Sequence, residues 1–161
     1  MIASAASAQG ICVSRIFRPK PYEVDFTGFL SNTVVLRWME DMRVEMMRDV
    51  FASFGHELRE NLSVIAEAHV NYLRPITYTD VIVGQLGIAL LSPVKWRVDF
   101  TFQLADRAVE AITAHQVGVF IDPESHRPRK IPSPLVGAIR NVSRTPPATL
   151  HNTTPLSRPY E

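Results

Sequence analysis

One helical stripe dominates this chain. Val35, Met39, Met42, Met46, Val50 and Phe54 recur at spacings of three or four, with Trp38 beside them, the period of an amphipathic helix. The spacing predicts a helix over 33–54, about 33 Å long at 1.5 Å per residue. Ser31 or Asn32 is its natural N-cap, and Gly55 a fitting stop. Arg37, Asp41, Glu45 and Arg48 occupy the opposite face, Arg37 and Asp41 as an i,i+4 pair. A lone helix of this length must bury its stripe against a sheet.

The segments after the helix alternate at period two. In 62–72, Val64, Ala66, Ala68, Val70 and Tyr72 share one face, and Glu67, His69 and Asn71 the other. The run 81–91 is apolar on both faces. In 95–104, Trp96, Val98, Phe100, Phe102 and Leu104 alternate with polar residues, and 108–120 alternates similarly. These are strands, and their short links imply antiparallel neighbours. Ahead of the helix, 11–24 reads as a strand broken by Pro19 and Pro21, which suits a sheet edge. A short helix is expected over 133–140, with Ser133 as cap and Pro134 in the first turn. The order predicts an α+β domain in which a five-stranded antiparallel sheet wraps one long central helix.

Composition sets the limits. With 161 residues, 46% of them apolar, the chain supports one domain with a core. The net charge of +1 is unevenly placed. Residues 1–124 carry 11 Lys/Arg against 15 Asp/Glu, and residues 125–161 carry 6 against 1. Eight of 12 prolines lie at or after Pro123. The domain is therefore expected over 12–140, after a flexible start (1–11) and before a basic, Pro-rich, disordered tail (141–161). Removing 145–161 is expected to leave folding intact. The basic tail explains the net charge, so the total gives no case for nucleic acid. Cys12 is the only cysteine, which rules out an intrachain disulfide and a thiolate cluster. The histidines at 56, 69, 115, 126 and 151 lack paired zinc spacing. No apolar run reaches the roughly 20 residues of a membrane helix, and the start lacks a signal peptide's charged and apolar regions. The expected compartment is the cytoplasm. No nucleotide-binding or serine-hydrolase fingerprint is present.

The loop entering the long helix carries the chemistry. Asp25 stands seven residues before Asn32, at the helix start. A helix N-terminus offers unpaired N–H groups and partial positive charge. That combination polarises a carbonyl and holds an oxyanion, while a nearby carboxylate attacks it or activates water. Gly28 lets a ligand approach the backbone. From the residues alone, a turn cap is the favoured role for Asp25.

The stretch Tyr22-Glu23-Val24-Asp25-Phe26-Thr27-Gly28-Phe29-Leu30-Ser31-Asn32, followed by Leu36-Arg37-Trp38-Met39-Glu40 and Arg43, resembles the signature of hotdog-fold acyl-CoA thioesterases of the 4-hydroxybenzoyl-CoA thioesterase type. Val70-Asn71-Tyr72-Leu73-Arg74-Pro75 and Asp80 resemble the strand and turn after that family's helix. The likeness spans roughly residues 12–122. It implies a hotdog fold, hydrolysis of acyl-CoA or acyl-carrier-protein thioesters, no metal or cofactor, and homodimers or homotetramers joined along a sheet edge with active sites at the interface. Asp25 matches the catalytic nucleophile or general base. Gly28 matches the loop glycine, and Asn32, followed by Thr33, the helix entry that polarises the thioester carbonyl. Glu23, Val24, Val34 and Val35 depart from the residues usual at those places. A related branch acts on polyketides held on carrier proteins and uses a helix arginine where Arg43 stands, but it has no acid at the Asp25 position, so Asp25 favours the carboxylate mechanism and Arg43 reads as a helix-surface or ion-pair residue. A non-catalytic acyl-binding subunit is a further possibility. Arg127, Arg129 and Lys130 are candidates for CoA phosphates, or a solvated basic turn. Met42, Met46 and Met47 read as core, or as the adaptable lining of an acyl tunnel. Glu40 and Glu45 read as helix-face charges. Glu67, His69 and Asn71 form a polar face that meets the partner's helix if this strand is the dimer edge.

Overall fold

A computed structural model describes residues 10–144. Five strands form one antiparallel sheet: β1 (Ile11–Phe17), β2 (Leu62–Tyr72), β3 (Ile82–Leu90), β4 (Lys95–Leu104) and β5 (Val109–Ile121), in the order β1-β3-β4-β5-β2. The long helix α1 (Asn32–Asp49) lies on one face. Val34, Val35, Trp38, Met39, Met42 and Met46 are its buried stripe. They meet Leu86 and Ile82 of β3, Phe100 and Phe102 of β4, and Ile112 of β5 in one core. The Trp38 ring stacks on Phe17 at 4.6 Å and lies 5.9 Å from Phe102. Gly84 allows this approach, because a Cβ there would stand 2.7 Å from the Phe17 ring. Arg15 of β1 reaches Asp41 and Glu45 of α1, at 3.7 and 3.8 Å. Asp41 thus finds its cation across the fold rather than in the expected Arg37.

Several boundaries differ from the sequence expectations, each for a local reason. The helix stops at Asp49 instead of continuing to 54. Phe51 N–H donates to Met46 O, and the turn buries the Phe51 side chain. A 3-10 turn (Ala52–Phe54) leads into a short helix, α2 (Gly55–Glu60). Gly55 has right-handed helical φ and opens that helix rather than closing the previous one. β1 ends at Phe17, and Pro21–Glu23 form a 3-10 turn.

The last helix, α3 (Ser133–Arg144), runs four residues past 140. Leu135 and Ile139 are buried, and Ser143 Oγ donates to Ile88 O and Ile139 O. Gly10 N–H donates to Ser143 O. Residues 10–11 and 141–144 are thus part of the folded body, which corrects the expected start and tail boundaries. The remainder of those two expectations, 1–9 and 145–161, lies outside the described residues.

A bulge in β2 changes which side chains face α1. The β2–β5 register shifts between Ile65 and Glu67, leaving Ala66 as the extra residue. Ser63 and Ile65 consequently join Val70 and Tyr72 on the helix side. The single face expected for Val64, Ala66, Ala68, Val70 and Tyr72 is broken at this point. Glu67, His69 and Asn71 point to the outer face, opposite α1. His115 Nε2 lies 3.2 Å from Glu67 Oε1, and the His69 and His115 rings stack at 5.3 Å.

Candidate active site

Residues 24–30 fold back on themselves at the entry to α1. Val24 and Leu30 form an antiparallel bridge. Gly28 N–H donates to Asp25 O at 3.0 Å, and Asp25 N–H to Phe29 O at 2.9 Å. Gly28 takes a φ of +84°, which favours glycine, and no atom stands within 4 Å of where its Cβ would be. Leu30 N–H donates to Ile76 O and Ser31 N–H to Glu23 O. These bonds tie the loop to both the turn before it and the β2–β3 connection. Thr77 N–H and Oγ1 in that connection bond to Asp80 Oδ2.

Asp25 is exposed, and its Oδ1 accepts hydrogen bonds from both Thr27 N–H and Thr27 Oγ1. The turn-cap reading is therefore correct for one carboxylate oxygen. The threonine bonds favour the anion and hold the carboxyl below its ordinary value of 3.8. Asp25 is ionised at neutral pH.

The start of α1 carries no side-chain cap. Ser31 occupies the N-cap position, but its Oγ meets Thr33 Oγ1 at 3.1 Å instead of a backbone N–H. No acidic side chain lies in the first turn. Asn32 and Thr33 are exposed. The partial positive charge of the helix end thus faces outward beside the Asp25 loop. Tyr72 adds a residue that period-two reading treated only as a strand position. Its hydroxyl donates to Asn32 O at 3.2 Å and fixes the helix entry to β2. Burial pushes the Tyr72 hydroxyl pKa up.

The other candidates stand apart from this loop. Arg43 is half-buried in a cleft of about 480 Å³ between α1 and β2, shared with Val44, Met46, Met47, Ile65 and Trp96. Its guanidinium pairs with Glu40, and its Nε has no hydrogen-bond partner. Arg127, Arg129 and Lys130 lie on an exposed turn after β5. Asp122 shapes that turn through Glu124 and Ser125 N–H and stands 3.8 Å from Arg129. The turn bridges to Ile121, which pairs with Leu62 at the start of β2. Asn32 meets Tyr72 at the other end of β2. Eleven strand residues put roughly 33 Å between these ends. Within one chain, therefore, the basic turn and the Asp25 loop are not brought together. Among the described residues, no group of three or more His, Cys, Asp or Glu is placed to hold a metal ion. No helix among them is long and apolar enough to cross a membrane.

The family model of the thioesterase-like superfamily matches residues 19–139, most of the chain and all of this loop and helix. The chain belongs to this superfamily. No curated protein matches the sequence. Among solved structures, a 1,4-dihydroxy-2-naphthoyl-CoA thioesterase from Synechocystis superposes with a TM-score of 0.70 at 15% identity, over 80% of this chain and 95% of that one. A 12:0-ACP thioesterase from Umbellularia californica gives 0.74 at 19% identity, over 92% of this chain and 60% of that one. At such identities the likeness speaks to the fold, the sheet-and-helix hotdog arrangement expected from the resemblance.

Proposed function

We propose that this thioesterase-like chain hydrolyses acyl-CoA thioesters, with Asp25 as the catalytic carboxylate and the start of α1 as the oxyanion site. The observation that carries the reading is the junction of an ionised, exposed carboxylate with an uncapped helix N-terminus in one hydrogen-bonded loop. Asn32 and Thr33 backbone N–H groups hold the carbonyl oxygen as it becomes an oxyanion. Asp25 then attacks the carbonyl carbon and expels the thiolate, leaving an anhydride for water to cleave, or it takes a proton from the attacking water. Gly28 keeps the approach open.

The working unit is a homodimer joined along β2. This strand ends the sheet, so its outer edge is unpaired among the described residues. Leu62, Ile65 and Tyr72 on it are exposed, as are Tyr22, Phe26 and Phe29 near Asp25. An open strand edge with apolar side chains calls for a cover. Two-fold antiparallel pairing of β2 with its copy brings the Tyr72 end of one strand beside the Leu62 end of the other. Arg127, Arg129 and Lys130 of one protomer then approach the Asp25 loop of its partner, where CoA phosphates suit arginine forks.

The test presents one acyl group on CoA and on a carrier protein. Faster cleavage of the CoA form supports the proposal. Faster cleavage of the carrier form overturns the choice of CoA. Binding of both without cleavage makes the chain a non-catalytic acyl-binding subunit.

A further inference from the structure

The outer face of the sheet, opposite α1, carries a side-chain cluster that the proposed hydrolysis does not use. His115 Nε2 of β5 stands 3.2 Å from Glu67 Oε1 of β2. His69, the cross-strand neighbour of His115, stacks on its ring at 5.3 Å, and His69 Nε2 meets Asn71 Oδ1 at 3.0 Å. Asp99 lies opposite His115 on β4, but its Oδ1 is taken by Arg97 at 2.6 Å. Glu67 is therefore the carboxylate left to His115. The bulge at Ala66 creates this pairing. It turns Glu67 onto the face of His115, whereas unbroken alternation would set it with Ser63 and Ile65 on the helix side.

Two ligand atoms of one tetrahedral zinc ion, each about 2.1 Å from the metal, stand roughly 3.3 Å apart. The Glu67–His115 separation of 3.2 Å matches that span. One chain alone supplies too few ligands, since no group of three among its described residues is placed to hold a metal ion. A second copy supplies the rest. Glu67 is the middle residue of the eleven in β2, so two-fold antiparallel pairing sets it opposite its own copy, on the same face. Directly opposed residues in such a pair have Cβ atoms about 5 Å apart, and like charges there weaken the pairing. A cation between the two carboxylates reverses that effect. The Glu67 side chain is 62% exposed on its own chain, so it has room to turn toward the axis.

We propose that the two-fold axis of the β2 dimer holds a zinc site, closed by Glu67 and His115 of one chain and the same two residues of its copy. The inference rests on the β2 dimer of the preceding section and not on the hydrolytic chemistry. Two carboxylates and two neutral imidazoles suit a zinc-class divalent ion and bring the site to zero net charge. All four positions are filled by protein, so the site is structural and leaves no place for a reacting water. By fastening β2 to its copy, the metal also keeps the basic turn of each chain beside the Asp25 loop of the other. Glu67 and His115 lie 48 residues apart, which is why no histidine spacing along the chain announces the site.

The experiment strips the full-length protein of metal with EDTA and titrates it with zinc(II) at about pH 8, where imidazoles are neutral. Calorimetry gives the stoichiometry and sedimentation the dimer dissociation constant. The proposal expects one zinc per two chains, lost in both Glu67→Gln and His115→Gln. Zinc that binds only the dimer, at about 100 times its own dissociation constant, should tighten dimerisation by about 100-fold. Glu67→Gln adds a change of sign. Without zinc it removes the opposed charges and should dimerise roughly threefold more tightly than the wild type, whereas with zinc the wild type should be the tighter dimer. One zinc per chain, zinc retained by either variant, or zinc without effect on dimerisation overturns the shared site. A dimer that takes up no zinc overturns the site and leaves the β2 dimer standing. A protein that stays monomeric with and without zinc overturns both.

Discussion

Replacing Asp25 by Asn removes a charge while leaving the turn its acceptor. Asp25 Oδ1 receives both Thr27 bonds, and an Asn side-chain oxygen still accepts them, more weakly than the carboxylate does. The side chain is exposed, so the protein still folds, and the thermal midpoint falls only by the small contribution of the anion to this surface turn. Catalysis is another matter. An amide neither attacks a thioester nor takes a proton from water, and loss of one acid/base group costs on the order of 100-fold or more. The assay is thiol release from a good acyl-CoA at saturating and limiting substrate, which separates kcat from KM. The fall should appear in kcat. The pH profile adds a second reading. A carboxyl whose folded-state pKa is depressed stabilises the folded loop above its unfolded pKa, and that contribution is lost as pH falls through the folded value. Since Thr27 holds Asp25 below 3.8, the midpoint of the acid-side loss of kcat/KM that its titration imposes lies below pH 3.8. Retention of wild-type turnover by a folded Asp25→Asn protein refutes the assignment.

Further outcomes follow from packing and edges. Gly84→Ala drives a methyl group against Phe17 beneath α1, and overpacking of this kind should destabilise the fold by about 1–3 kcal/mol, read as a lower midpoint in urea. Ala68→Pro removes an N–H and stiffens β2 within the proposed dimer edge. Sedimentation should show more monomer, and activity should fall with it. An unaltered dimer would place the interface elsewhere. Ending the chain after Arg144 keeps α3 and its Ser143 bonds, so the truncated protein should melt at the full-length midpoint. An insoluble product would contradict that boundary.

The regular elements were legible because their apolar periods are undisturbed. Lys95–Leu104 and Leu62–Tyr72 were bounded in the sequence as they stand in the fold. Alternation alone does not reveal a bulge, since one extra residue at Ala66 leaves the composition of β2 unchanged while exchanging its faces. The helix end was misplaced because Val50 and Phe54 continue the stripe. Burial of Phe51 outweighs that local pattern. The Asp25 loop was legible through its Asp, Gly and helix-entry residues. The Tyr72 bond to Asn32 spans 40 residues and leaves no local trace. The separation of the basic turn from that loop follows from sheet order, which spacing along the chain does not encode.

Thioester cleavage is the central claim, and thiol release by the purified full-length protein tests it most directly. A panel of straight-chain and aromatic acyl groups on CoA, each repeated on a carrier protein, covers the chemistry. Saturable, protein-dependent appearance of both free thiol and free acid with at least one CoA ester is the predicted result. No release from any member, by protein shown to be folded, would contradict it.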